Sequence, residues 1–261
     1  MTARPAAAAD APERVAKRIA RAGLCSRRDA ERWIAEGRVA VDGEVLESPA
    51  VTVTEANVVT VDGAPLPAAG RPRLFRYHKP AGLLTAARDP AGRPTIYDRL
   101  PAGLPRLMPV GRLDLTSEGL LLLTNDGALK RALELPATGW LRRYRARVHG
   151  EIDEAVLASL KRGITLDGFK YGPIEATLDK VQGSNAWLTV ALREGKNREI
   201  RRVLEHFGWP VTRLIRLSFG PFQLGRLKPG EVEELTGKVL REQLGQRLAG
   251  EPVRRRRPTP R

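Results

Sequence analysis

Apolar residues recur at three- to four-residue spacing over 13–22, where Val15, Ile19 and Ala22 share one face and Arg14, Lys17, Arg18 and Arg21 take the other. That period predicts a short amphipathic helix with Gly23 as its stop. Ser26-Arg27-Arg28-Asp29 has the form of a capping box and opens a second helix, which runs through Ala30, Trp33 and Ile34 to Gly37. The period then shortens to two. Residues 39–46 alternate about Asp42-Gly43, the signature of a hairpin. Further on, 74–77 predicts a strand entering a Lys79-Pro80 turn, Tyr144, Ala146 and Val148 alternate in another, and 187–192 makes a third. Helical spacing returns at Ile152, Val156, Leu157 and Leu160, ending near Gly163, and at Ile200, Val203, Leu204 and Phe207, ending at Gly208. Interleaved strand and helix signals with Gly, Asp and Asn turns predict an α+β fold with antiparallel pairing. The strand order is not in the pattern.

Punctuation divides this pattern. Residues 64–73 hold three prolines and a glycine among small residues and read as a linker. The expected organisation is a small first domain over 12–63, the linker over 64–73 and a larger domain over 74–245. Residues 1–11, rich in Ala and Pro, and the basic stretch 246–261 are expected to be disordered.

Charge narrows the class. The 261 residues carry a net charge of +15. The tail from Glu251 holds five Arg and one Glu, so +11 belongs to the rest of the chain. A body this basic attracts polyanions, nucleic acid foremost. Seven cations, Lys17, Arg18, Arg21, Arg27, Arg28, Arg32 and Arg38, fall within 22 positions and are expected to meet RNA phosphates. The single cysteine, Cys25, excludes an intramolecular disulfide and a multi-cysteine metal site, and reads as a packed thiol. His149 and His206 lack metal-ligand spacing. No apolar stretch reaches membrane-spanning length, and the N-terminus lacks the apolar core of a signal peptide, so the expected compartment is the cytoplasm.

The most specific chemistry lies in Gly111-Arg112-Leu113-Asp114, followed by a short spacer, Glu118-Gly119, four consecutive leucines and Thr124-Asn125-Asp126-Gly127. A carboxylate stands beside an apolar strand in a basic protein. It is either a structural ion pair, or a turn acceptor, or a reacting group. Three further runs accompany it: His78-Lys79-Pro80-Ala81-Gly82, Arg142-Arg143-Tyr144, and Glu194-Gly195-Lys196-Asn197-Arg198-Glu199-Ile200-Arg201-Arg202. Together they resemble the motifs of the RsuA/RluB family of ribosomal RNA pseudouridine synthases, over roughly residues 12 to 245. The two helices and strands before the linker resemble the alpha-L RNA-binding module. The resemblance implies a mixed, mainly antiparallel, bent sheet with a central cleft.

It also implies a reaction. Pseudouridine formation breaks a glycosidic bond and rejoins uracil through a ring carbon, a rearrangement that consumes nothing. No metal, nucleotide or redox cofactor is expected, in keeping with a sequence that has no phosphate loop and no dinucleotide fingerprint. By the family match, Asp114 is the essential carboxylate, which either attacks the sugar or takes a proton from it. Arg201 is its expected ion-pair partner, placed at the inward border of its helix, while Arg198 and Arg202 are expected to point outward to phosphates. Tyr144 is expected to stack on the extruded base, with Arg142, Arg143, Arg145 and Arg147 alternating away from it. Ile215, or by one place Leu214, is expected to close the uracil pocket. Lys79 is expected to begin a basic turn at the cleft, and Arg112 to touch RNA or pair with an acid such as Glu118. His78 stands where relatives more usually have Asn.

The expected partner is ribosomal RNA or a ribosomal subunit assembly intermediate. Residues 22–31, Lys196-Asn197-Arg198-Glu199 and Leu217-Ser218-Phe219-Gly220-Pro221 look more like the RluB branch, which favours large-subunit over small-subunit rRNA. A noncatalytic RNA-binding assembly factor explains the charge equally well but has no need of Asp114 with Tyr144 and Arg201. An RNA methyltransferase would need a glycine-rich cofactor loop after a strand, and the sequence has none.

Overall fold

The computed structural model describes residues 11–244. The expectations for most of 1–11 and for the basic tail therefore lie outside the described residues. The chain divides into two compact units, one holding Met1–Pro72 with Asn125–Gly127, the other Arg73–Thr124 with Ala128–Arg261.

The first unit opens with β1 (Glu13–Arg14), which pairs with β4 (Thr52–Val53). That pairing delays the first helix to α1 (Val15–Arg21), two residues later than periodicity alone predicts. The second, α2 (Arg27–Ala35), has the expected capping box: Ser26 Oγ accepts from Asp29 N at 3.1 Å, and Ser26 N donates to Asp29 Oδ2 at 3.4 Å. β2 (Val39–Val41) and β3 (Glu44–Val45) form the expected hairpin, with Asp42 and Gly43 both at positive φ (52° and 92°), as a two-residue turn of matching twist requires. The same device recurs at Asp62-Gly63, joining β5 (Val59–Val61) to β6 (Ala64–Pro65). Ala64 and Pro65 are thus part of a sheet rather than the start of the linker. Val15, Ile19, Cys25, Ala30, Ile34 and Val39 pack in this unit's core.

The second unit is organised on one nine-stranded sheet. In chain order its elements are β7 (Leu74–Lys79), β8 (Met108–Val110), β9 (Ser117–Thr124), α3 (Gly127–Glu134), β10 (Arg142–His149), α4 (Glu154–Ser159), the hairpin β11 (Ile164–Leu166) and β12 (Phe169–Tyr171), β13 (Ile174–Gln182), β14 (Asn185–Leu192), α5 (Glu199–His206), β15 (Val211–Phe219), β16 (Phe222–Gln223), β17 (Val232–Leu235) and α6 (Gly237–Leu244). The sheet order is β13-β14-β10-β15-β9-β7-β17, with β8 on β9 and β16 on β15. Every strand pairing in it is antiparallel except β9 with β15, which run parallel, Ser117 opposite Leu214. The sheet is therefore mixed and mainly antiparallel, as expected.

The four leucines of β9 explain the central strand. Leu121 and Leu123 belong to one hydrophobic core, Leu120 and Leu122 to a second on the opposite face. A strand covered on both sides reads as a continuous apolar run rather than an alternation. Gly119 lets it lie against β15: at φ +99°, a Cβ there would come within 2.3 Å of the Arg216 carbonyl oxygen.

Candidate active site

The loop from β8 to β9 carries Asp114, and its backbone is held at every carbonyl from Leu113 to Ser117. Thr85 Oγ1 donates to Leu113 O at 2.9 Å, and Ser117 N to Asp114 O at 3.0 Å. Gly82 N donates to Leu115 O at 2.8 Å, and Arg201 Nη2 to Thr116 O at 3.2 Å. Lys79 Nζ donates to Ser117 O at 2.8 Å and lies 3.0 Å from Pro80 O, 3.2 Å from Asp114 O and 3.4 Å from Leu115 O. A loop so fully hydrogen-bonded presents its side chain from a rigid base.

Lys79 therefore does something other than what its Lys-Pro context suggests. It ends β7, is fully buried, and sits beneath the loop rather than in a basic turn facing RNA. Burial pulls its ammonium down to about 8, against the opposing pull of Asp114 and Glu118. His78 beside it is buried, its Nδ1 2.7 Å from Leu227 O.

Asp114 opens into a cavity of about 600 Å³, lined also by Arg112, Tyr144, Arg198, Leu214 and Arg216. That is a volume suited to a nucleoside-sized ligand. Tyr144, 8% exposed, reaches it from β10. Arg143, Arg145 and Arg147 do alternate away from Tyr144, but Arg142 shares its parity and lines the same cavity. The Arg142 guanidinium is bonded to Trp140 O at 2.9 Å and to Arg193 O, and it lies 4.9 Å over the Phe219 ring. On β15, alternation decides between the two candidates for the apolar wall. Leu214 faces the cavity, and Ile215 packs into the core on the other side of the sheet. Arg112 is exposed at the rim; Glu118 is instead gripped by Arg213 through two bonds of 2.9 Å.

The arginines of the fourth motif are distributed differently from expectation. Arg201 is indeed the inward one, 7% exposed. Yet its guanidinium spans two carbonyls, Val211 O at 2.7 Å and Thr116 O at 3.2 Å, and makes no ion pair to Asp114 among the described residues. Burial, then repulsion from Arg198, lowers its pKa, with Asp114 and Glu205 opposing. The cation beside the carboxylate is Arg198, whose Nη1 lies 3.9 Å from Asp114 Oδ2. Helical projection failed here because Arg198 is not in the helix. It caps α5 in the left-handed region (φ 50°, ψ 30°), which turns its side chain back over the cleft. Arg202 is exposed on the outer face of α5.

Two further carboxyl groups line the cavity. Glu134 is held by Lys130 and accepts from Gly111 N at 2.6 Å. Glu199, which sequence reasoning passed over as one polar residue among many, is 4% exposed. Burial and a hydrogen bond with Glu194 push it up to about 8. Burial also pushes Glu194 up, but the Gly172 amide, the bond with Glu199 and the Lys196 ammonium outweigh it and hold Glu194 below the usual carboxylate range. Asp114 and Glu134 each have about a third of the side chain exposed, but Glu134 is engaged by Lys130 and Gly111, whereas the Asp114 carboxylate faces Arg198 at 3.9 Å.

Residues 73–206 match the profile of the RNA pseudouridylate synthase family, just over half of the chain. The chain belongs to that family. Residues 13–59 match the S4 domain, the region read above as the alpha-L module. Along the sequence, the synthase is 47% identical to an "uncharacterized RNA pseudouridine synthase" of Rickettsia felis, over 87% of this chain and 99% of that one. It is 41% identical to the "ribosomal large subunit pseudouridine synthase B" of Yersinia pestis, over 83% of this chain and 70% of that protein. Among solved structures, it resembles one described as a pseudouridylate synthase at a TM-score of 0.61 and 27% identity, covering 88% of this chain and 99% of that one.

In the synthase's S4 domain, the seven expected RNA-facing cations fall into two groups. Five meet carboxylates: Lys17 with Glu13, Arg18 and Arg21 with Glu13 and Glu55, Arg32 with Asp29 and Glu36, and Arg38 with Glu36 and Asp62. Arg38 also stacks over Trp33 at 4.8 Å. Arg27 and Arg28, in the first turn of α2, are exposed and form no ion pair among the described residues. No helix of the described residues is long and apolar enough to cross a membrane, and among them no group of His, Cys, Asp and Glu could hold a metal ion.

Proposed function

We propose that the enzyme isomerises a specific uridine of large-subunit ribosomal RNA, with Asp114 as the reacting carboxylate. The observation that carries the reading is the disposition of the three carboxyl groups lining one cavity. Glu134, though equally exposed, is tied up by Lys130 and Gly111, Glu199 is buried, and Asp114 is the partly open carboxyl group that sits on a loop bonded at five successive carbonyls. A uridine extruded from RNA enters with its base between Tyr144 and Leu214 and its sugar toward Asp114. The carboxylate attacks the anomeric carbon or removes a proton from the sugar, and the glycosidic bond breaks. The uracil turns within the pocket and rejoins through its ring carbon, and the proton on that carbon is lost as the ring nitrogen regains one. Arg198 holds the carboxylate from the solvent side, while Lys79 and Arg201 place positive charge beneath its loop. Arg112 at the rim and exposed Arg27 and Arg28 of the S4 domain supply phosphate contacts.

The large-subunit target is supported by the likeness to the Yersinia pestis protein and by the RluB-like runs in the sequence. The substrate is rRNA either free or within a subunit assembly intermediate. Mapping pseudouridines in total rRNA from a strain lacking the gene tests both steps at once. One large-subunit signal should vanish, return with the wild-type gene and stay absent with Asp114→Asn. Loss of a small-subunit signal instead would reject the target, and restoration by Asp114→Asn would reject the residue.

A further inference from the structure

We propose that Glu199, by donating a hydrogen bond to Glu194 from a buried carboxylic acid, is a positioning residue that fixes Arg198 against Asp114. This rests on the function proposed above and adds a proton to its machinery.

The geometry places the proton. Glu199 Oε2 accepts from Lys196 N at 2.9 Å, but Oε1 is fully buried and no donor among the described residues reaches it. Lys196 brings the carboxyl group of Glu194 beside it, its N donating to Glu199 Oε2 at 2.9 Å while its Nζ lies 2.9 Å from Glu194 Oε2, and two carboxylates so close cannot both stay ionised. Glu194 has the donors that favour charge: the Gly172 amide and Lys196 Nζ, the latter at 2.9 Å. Glu199 has only one backbone amide, so the shared proton resides on Glu199 and points to Glu194. The other charged or titratable groups facing the pair are Arg142 from β10, Lys196 from the same loop and Tyr171 from β12, whose ring lies 5.5 Å from Lys196 Nζ.

The pair closes the loop from Glu194 to Glu199 on itself, with Lys196 O receiving Glu199 N at 3.3 Å. Arg198 is the last residue of that loop. Its left-handed backbone is unfavourable for a side chain as large as arginine and persists only where neighbours impose it. Ionising Glu199 sets two negative charges against each other beneath Arg198, and the loop's closure and the 3.9 Å approach to Asp114 are lost together.

Glu199→Gln keeps a donor toward Glu194 and an acceptor for Lys196 N but cannot ionise; Glu199→Ala keeps neither. The first reading is thermal stability of the two full-length proteins against pH. The folded acid retains its proton up to about 8 while the unfolded one releases it near 4.5. Wild type should therefore lose stability relative to Glu199→Gln as pH rises through that window, with no difference below it. The second reading is single-turnover isomerisation at saturating enzyme. Glu199→Ala should fall about tenfold or more at pH 7 with rRNA affinity retained, Glu199→Gln should recover most of that loss, and only wild type should lose rate through Glu199 above pH 8. Lys79 titrates in the same range in both proteins and cancels in the comparison. As a check free of any variant's folding, wild type should show an infrared carbonyl band of a protonated acid at pH 7 that disappears on titration past 8. A pH-independent stability difference, or an absent band, overturns the proposal. So does a Gln variant as slow as Ala. If the stability and infrared readings hold but wild type forms no pseudouridine, the proton-sharing pair stands and the functional reading fails.

Discussion

Lys79 Nζ donates to Ser117 O at 2.8 Å from a fully buried strand position, and so ties the end of β7 to the loop that carries Asp114. Replacing it with Met fills the same space but leaves Ser117 O without that donor, while Asp114 O keeps Ser117 N. A buried, unmatched carbonyl costs about 1–3 kcal/mol. We expect Lys79→Met to fold, to melt roughly 5–10 °C lower, and to turn over far more slowly at unchanged rRNA affinity. Circular dichroism with single-turnover assays checks this; a normal chemical rate would show that the loop holds its shape without Lys79. The pH dependence has a definite sign. The folded ammonium releases its proton near 8 and the unfolded one near 10.5, so wild type gains stability relative to Lys79→Met between those values and neither gains nor loses below them.

Asp114→Asn keeps the loop's size and backbone bonds but removes the group able to attack or to accept a proton. Isomerisation should fall by more than about 10³-fold, with rRNA binding close to wild type. Carbodiimide primer extension on rRNA incubated with the variant measures the first, and a filter-binding titration the second. Turnover within tenfold of wild type would move the chemistry to another residue.

Arg198 and Arg201 should separate in their effects. Arg198 is half exposed and faces Asp114, so Arg198→Gln should lower the chemical rate while the melting temperature stays within about 2 °C of wild type. Arg201 bridges Val211 O and Thr116 O, a span that a lysine cannot make with one ammonium. Arg201→Lys should lower both rate and stability, the latter by about 2 kcal/mol. Identical behaviour of the two variants, in either direction, would contradict this division of roles.

In the S4 domain, Arg27→Ala with Arg28→Ala should reduce the slope of log affinity against log salt by about 1 to 2 without changing the fold. Arg21→Ala should do less to the slope and more to stability, since Arg21 holds Glu13 at 2.6 Å and Glu55 at 3.0 Å. Equal salt slopes for the double variant and wild type would take these two arginines out of the RNA contact.

Much of this molecule is legible in the sequence where a local rule acts alone. The capping box of α2, the Asp42-Gly43 hairpin and the buried face of α5 follow from spacing. What the sequence hides comes from partners far along the chain. Glu13 and Arg14 leave the helix because Thr52 and Val53 offer a ladder. Ala64 and Pro65 leave the linker because Thr60 and Val61 do the same. Asp114 and Tyr144, from motifs 30 residues apart, line one cavity, but Leu214 rather than Ile215 lines it with them, a one-residue difference that alternation makes absolute. Lys79 looks like a surface turn until the carbonyls above it are known. Glu199 looks like helix polarity until its neighbour Glu194 is.

The parallel join of β9 to β15 sets a condition on when the active site can exist at all. Asp114 precedes a strand whose neighbour on one side, β7, is made before it, and whose neighbour on the other, β15, ends only at Phe219. Thr116 is likewise held by Arg201, from the intervening helix. During synthesis the S4 domain and the loop bearing Asp114 both leave the ribosome long before the partners that hold that loop. A nascent chain can therefore carry the exposed Arg27 and Arg28 without yet carrying the formed cavity, and isomerisation becomes a late property of the polypeptide, acquired when its distant halves close on one another.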